Sequence, residues 1–214
     1  MFPIKDHQNS GKFPFTNLAL IAANIYVFSQ QLFSPDPELF ITTYALIPSG
    51  INFFDPLTLK SFVTSMFLHA GFLHIISNMW FLWIFGDNVE ARMGHLKYFG
   101  FYILCGVAAS VIQYFFIADS LIPMLGASGA IAGVLGAYLK YFPHNSVDTF
   151  IPIFGLPTII AVPAGLMLAY WFFIQLFNGV ASVTVTTASV GGIAFIAHVA
   201  GFTAGFLTAK LFVW

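Results

Sequence analysis

Of 214 residues, 59% are apolar and only 7% charged, and the net charge is -1; mean hydropathy is +0.89. A soluble domain carries about 25% charged residues, so this chain lacks the polar surface a water-exposed globule needs. The charge gives no footing for a nucleic-acid partner, and the single cysteine, Cys105, excludes an internal disulfide.

Residues 1–14 are polar, with Lys5 and Lys12, and predict an inner tail ahead of a membrane domain over 15–214. The apolar run that follows, 15–33, is too long for a signal-peptide core and reads as a retained first span. A bilayer core of roughly 30 Å needs about 20 apolar residues per helix. Five more segments qualify: 62–86, 97–118, 127–142, 157–178 and 191–213. The fold class expected is therefore all-α, a polytopic bundle of six transmembrane helices. The fourth segment is short, but the apolar loop before it, 122–127, suggests a helix that begins below the membrane surface. Irregular backbone at that depth is tolerated only inside protein or beside a water-filled cavity, so the loop points to a site. Six basic residues fall on one side (Lys5, Lys12, Arg92, Lys97, Lys140, Lys210) against Lys60 on the other, which predicts both termini inside.

Polar side chains within spans are costly and mark function by default. The second span holds His69, His74 and Asn78, the fourth Ser128, the sixth His198, and Gln175 near the end of the fifth is a weaker case. These three spans run in the same direction, so depth can be counted from their inner ends. At 1.5 Å per residue, Ser128 lies roughly 21 Å above Phe142, His198 about 18 Å above Lys210 and His74 about 20 Å above Asp87. Asn78 is one turn lower, at about 14 Å. Small residues supply the lateral half. Gly129 and Gly133 form a GxxxG, and His198, Gly201 and Gly205 share one stripe. Such stripes let two helix backbones approach closely in lipid, and if they face each other Ser128 meets His198.

A serine hydroxyl is a nucleophile when a base takes its proton, which a neutral imidazole does. The eight acids all lie in tails, loops or span ends, so none is placed to orient His198 and the unit is a dyad. Ser128 sits at a helix start, where free N–H groups can receive an oxyanion, and His74 and Asn78 share one helical face as side-chain donors. Glu90 and Arg92 read as an inner-side structural pair.

The GASG box around Ser128, the HxxxN of His74 and Asn78 with His69 upstream, and the AHxxGFxxG run over 197–205 resemble a bacterial rhomboid protease of the six-helix type. The likeness runs from about Ala45 to Phe206 and includes GDNVEARMG after the second span. The resemblance implies an intramembrane serine endopeptidase with Ser128 as nucleophile and His198 as general base. It implies an oxyanion hole of His74, Asn78 and the Ser128 amide, with His69, Gly126, Gly129 and Gly201 in supporting places. It also implies single-span membrane proteins as substrates, entry past Phe81 and Trp83 of span two and Trp171, Phe172 and Phe173 of span five, and a bacterial inner membrane as the location. No cofactor or metal is expected, and the partners are the bilayer and the substrate. Two features depart from some family members: residues 34–60 contain neither Trp nor Arg, and the position one turn after the serine is Ala132, not an aromatic. A catalytically inactive binder of membrane clients and a small transporter are the alternatives.

Overall fold

The computed structural model describes residues 1–8, 10–153, 156–184 and 194–213. It is mostly helical. Strand β1 (Phe2–Asp6) is followed by α1 (Phe15–Leu32), the short α2 (Pro37–Tyr44), α3 (Pro56–Leu59) and α4 (Ser61–Thr64), then α5 (Phe72–Met93), α6 (His95–Phe116) and α7 (Ser128–Tyr141). Strands β2 (Ser146–Ile153) and β3 (Leu156–Pro163) lead into α8 (Ala164–Thr184) and α9 (Ala194–Thr208). Among the described residues, His95–Phe116 and Phe195–Phe212 are each long and apolar enough to cross a membrane. The pair Pro56–Phe67 and Phe72–Met93 passes together, with an 80° bend between them.

Two of the expected spans are corrected. Segment 62–86 is not one helix: a 3-10 turn at Ser65–Phe67 and a non-helical link precede α5, so His69 sits in the link. Segment 157–178 begins as strand β3, and its helix starts only after Pro163. Hydropathy counts apolar residues without distinguishing their period. Here β-branched Thr158, Ile159, Ile160 and Val162 favour a strand, and Pro163 ends it. The first residues of the sixth expected span, 191–193, lie outside the described residues.

The expected polar tail also carries structure. β1 pairs antiparallel with β2, and β2 with β3, in a three-stranded sheet of order β1-β2-β3. The indole N–H of Trp80 donates to the Pro3 carbonyl at 2.8 Å, and Phe2 stacks on Trp80 at 5.8 Å between centroids. At the other end of the strand, Asp6 Oδ2 accepts from Asn88 at 2.7 Å and from the Tyr138 hydroxyl at 2.8 Å. The strand therefore climbs α5 from Asn88 to Trp80, eight residues or about 12 Å of helix.

Helix α1 is held by a carboxylate rather than by a cap of its own. Glu90, buried on α5, accepts from the backbone N–H of Thr16 at 2.8 Å and of Asn17 at 2.7 Å. Negative charge there satisfies orphan donors and complements the helix dipole. Glu90 also meets His95 Nδ1, while the Arg92 guanidinium lies 5.9 Å from the centre of the Tyr141 ring. The expected Glu90–Arg92 pair is thus replaced by two separate attachments.

Helices α7 and α9 form the centre. A Cβ on Gly201 would stand 2.0 Å from the Gly129 carbonyl oxygen, and one on Gly205 2.0 Å from that of Gly133. A Cβ on Gly136 would stand 2.2 Å from the Phe202 carbonyl oxygen. Backbone touches backbone along both stripes, which only glycine permits, so the two stripes do face each other.

Candidate active site

Ser128 is the first residue of α7, and His198 lies one turn into α9. The glycine contacts bring their side chains together: Ser128 Oγ is 2.8 Å from His198 Nε2. On the far side of the imidazole, Nδ1 is 2.8 Å from Gln175 Oε1 of α8. Trp171, one turn before Gln175, lies over the His198 ring at 6.0 Å with a 33° tilt, and Phe195 meets it edge-on at 6.4 Å. An aromatic does flank the histidine, then, but it comes from α8 and not from position 132.

The approach to Ser128 is fixed by main-chain contacts from residues 46–65. Leu46 and Met124 exchange backbone hydrogen bonds at 3.0 and 2.8 Å, Ser49 donates to Ser120, and the Gly126 N–H donates to the Ser65 carbonyl at 2.9 Å. These main-chain contacts need no Trp-Arg pair. Gly126 has φ +126°, and a Cβ there would stand 2.8 Å from His74 Cε1 and 2.9 Å from its Nε2. Gly126 is therefore required twice, for its backbone conformation and for the close approach of His74.

His74 and Asn78 lie on successive turns of α5. The Ala70 N–H donates to His74 Nδ1 at 3.3 Å, which leaves the proton of a neutral ring on Nε2, the atom beside Gly126. Asn78 is buried, and its Nδ2 has no hydrogen-bond partner. A buried amide donor without a partner is costly, and such a group in a cavity is a donor available for chemistry. His69 is fully buried, packing edge-on against His74 at 5.1 Å. Its backbone is clamped by Gln31 of α1, which donates to the His69 carbonyl at 2.7 Å and accepts from its N–H at 3.2 Å. Gly129 and Gly201 belong to the helix contact already described.

Two cavities flank the serine. One, of about 220 Å³, is bounded by His74, Asn78, Phe81, Ser128, Trp171 and His198. The other, of about 300 Å³, has His74, Gly126, Ser128 and Gly129 on one wall and Met66, Gly106, Ala109 and Ser110 on the other. Ser128 Oγ stands where they meet. Of the residues named for a lateral entrance, Phe81 and Trp171 line the first cavity together.

Sequence reading missed Gln113. Buried on α6, it accepts the Ala197 N–H at 2.9 Å and so fixes the turn that carries His198. The available signal was its position, since a glutamine inside an apolar span is as costly as the histidines. Among the described residues no group of His, Cys, Asp and Glu could hold a metal.

The family model for the Rhomboid domain matches residues 56–214. The chain is 33% identical over 158 residues to Rhomboid protein 1, mitochondrial, of Saccharomyces cerevisiae, covering 71% of this chain and 41% of that protein. It is 35% identical over 83 residues to RHOMBOID-like protein 6, mitochondrial, of Arabidopsis thaliana, covering 39% and 26%. It is 29% identical over 168 residues to the human presenilin-associated rhomboid-like protein, mitochondrial, covering 74% and 43%. The chain spans less than half the length of these relatives. They are mitochondrial by name, so they lend the expected bacterial inner membrane no support. With a family model matched over most of its length and an apolar helical bundle to go with it, the chain belongs to the rhomboid family of integral membrane proteins.

Proposed function

We propose that this chain is an intramembrane serine endopeptidase that hydrolyses peptide bonds in or beside the transmembrane segments of single-span membrane proteins. The observation that carries the reading is the 2.8 Å contact between Ser128 Oγ and His198 Nε2, with the unbonded Asn78 Nδ2 on the adjacent helix. In this mechanism Ser128 Oγ attacks the scissile carbonyl carbon as its proton passes to His198 Nε2. The carbonyl oxygen takes up negative charge and is received by the Ser128 N–H, His74 Nε2–H and Asn78 Nδ2–H. Collapse of the adduct breaks the C–N bond, and His198 gives its proton to the departing amine. Water then repeats the sequence on the acyl-enzyme, with His198 again as base. A bond inside an intact helix is closed to Ser128, so clients with Gly or other weak helix formers near the bond are favoured.

The basic residues support an orientation with both termini inside, and the site lies toward the outer face. The location is an integral membrane; a bacterial inner membrane is part of the reading by resemblance alone.

The test pairs wild type with Ser128→Ala on a single-span client carrying small residues near its outer boundary, alongside labelling by a fluorophosphonate. Cleavage and labelling by wild type, both abolished in the variant, are expected. A client cut equally by both proteins, or no cutting and no labelling by wild type, removes the protease reading in favour of an inactive binder. Ion flux in proteoliposomes that is lost on His198→Ala would revive the transporter.

A further inference from the structure

A general base must present a lone pair to the hydroxyl, and imidazole offers that pair on either nitrogen. Ser128 reaches only Nε2, so the ring is useful only when its proton resides on Nδ1. In soluble enzymes a carboxylate commonly enforces this tautomer. A carboxylate at this position would have to be desolvated inside an apolar bundle, which is costly unless the adjacent imidazole becomes charged with it. The amide oxygen of Gln175 stands at 2.8 Å from Nδ1 instead. It is an acceptor without charge.

The direction of that hydrogen bond follows from the atom turned to the ring, since Oε1 can only accept and Nδ1 must therefore donate. If the amide were turned so that its NH₂ faced the ring, Nδ1 would have to accept, the proton would move to Nε2, and Ser128 would face a donor. Only the Oε1–Nδ1 arrangement leaves Nε2 free to take the serine proton. Trp171 lies four residues earlier on α8, the same helical face, and covers the flat of the ring. Both contacts come from one helix that belongs to neither member of the dyad.

We propose that Gln175 is a positioning residue that holds His198 as the Nδ1–H tautomer, so that the working unit is Ser128–His198–Gln175 with a neutral third member, oriented by the seating of α8. This rests on the protease reading for its use, but not for its geometry. The groups facing His198 are Ser128 from α7, His74 from α5, Trp171 and Gln175 from α8 and Phe195 from its own helix. Of these, His74 is the one ionisable side chain.

Two readouts test it. The first is imidazole ¹⁵N NMR of the full protein in detergent, with the His198 signals assigned by difference from His198→Ala. Wild type shows the Nδ1–H form, and Gln175→Leu shows mixed tautomers. The second is the fluorophosphonate labelling rate with client cleavage. Gln175→Leu slows labelling and kcat by roughly 10- to 100-fold, the scale known for losing a residue that orients a metal-bound histidine, with KM little changed. Gln175→Glu retains an acceptor and recovers labelling relative to Gln175→Leu. Its carboxylate favours the imidazolium, so the acidic limb of the pH–rate profile moves to higher pH. A folded Gln175→Leu protein with the wild-type tautomer and wild-type labelling overturns the proposal. If wild type shows the Nδ1–H form, lost in Gln175→Leu, yet cuts and labels nothing, the orientation claim stands and the protease reading is the one that fails.

Discussion

At the scale of single residues, the site is a set of polar groups stranded in apolar surroundings and made useful by placement. Asn78 is the simplest case. Its Nδ2 is buried without a partner, an arrangement that lowers stability and that, in the proposed mechanism, is offset when an oxyanion forms. Removing one such donor costs on the order of 10²- to 10³-fold in kcat in enzymes that use one. Asn78→Ala should therefore lower kcat by about 100-fold with KM little changed, and slow fluorophosphonate labelling in parallel, because the phosphonyl oxygen occupies the same place. Equal kcat in a folded Asn78→Ala protein would remove Asn78 from the oxyanion hole. His74 is tied more tightly to the scaffold, through Ala70 on one nitrogen and Gly126 beside the other. Its substitution disturbs loop and site together, so Asn78 is the cleaner probe.

At the scale of elements, the distance between Ser128 and His198 is set by two helix backbones in contact. Gly201 and Gly205 on α9 abut the Gly129 and Gly133 carbonyl oxygens on α7, with no side chain between to yield. Overpacking commonly costs 1–3 kcal/mol where side chains can adjust, and here the obstacle is main chain. Gly201→Val should destabilise the protein by roughly 3 kcal/mol or more, on the same scale. Since Gly201 is one turn from His198, it should also part the imidazole from Ser128 and cut labelling even in the fraction that folds. Thermal unfolding in detergent with labelling of the folded fraction checks both; unchanged unfolding would mean the helices are not in backbone contact. Helix α8 contributes differently. It makes no part of the Ser–His contact yet brings both Gln175 and Trp171 to the ring.

At the scale of the molecule, the first residues tie several elements together. Asp6 joins β1 to Asn88 of α5 and Tyr138 of α7, and His7 meets Asp148 of β2 at 2.8 Å. Burial pushes the Asp6 carboxyl up to about 6, against an ordinary value near 3.8, with the nearby Asp87 adding to the rise and the Tyr138 hydrogen bond opposing it. Because the folded state holds this proton more tightly than the unfolded state, its contribution favours folding most at low pH. It declines as pH rises from about 4 through 6, then levels off. Asp6→Asn should flatten that part of the stability curve, measured as unfolding temperature in detergent between pH 4 and 7 and set against wild type. An identical pH slope in both proteins would place the proton elsewhere.

The sequence by itself determined the solvent, the candidate site residues and their axial coordinate. Composition required a membrane bundle, the costliest polar residues named Ser128, His198, His74 and Asn78, and a fixed rise per residue put them near one level. The small-residue stripes even indicated which helix faces meet, because in lipid only small residues allow backbones to touch. The tertiary structure alone decided what no one-dimensional count contains. Apolar residue number cannot tell β3 from the start of a helix, so the sheet and the place of β1 on α5 were not legible. Nor does local pattern report contacts between distant segments. The anchoring of the segment between α2 and α4 runs through main-chain bonds such as Leu46–Met124, which leave no side-chain signature. The orientation of His198 depends on Gln175, which the sequence marked only as polar and out of place. Its partner is 23 residues away on another helix, and only the packing of α8 against α9 brings the amide oxygen to the ring.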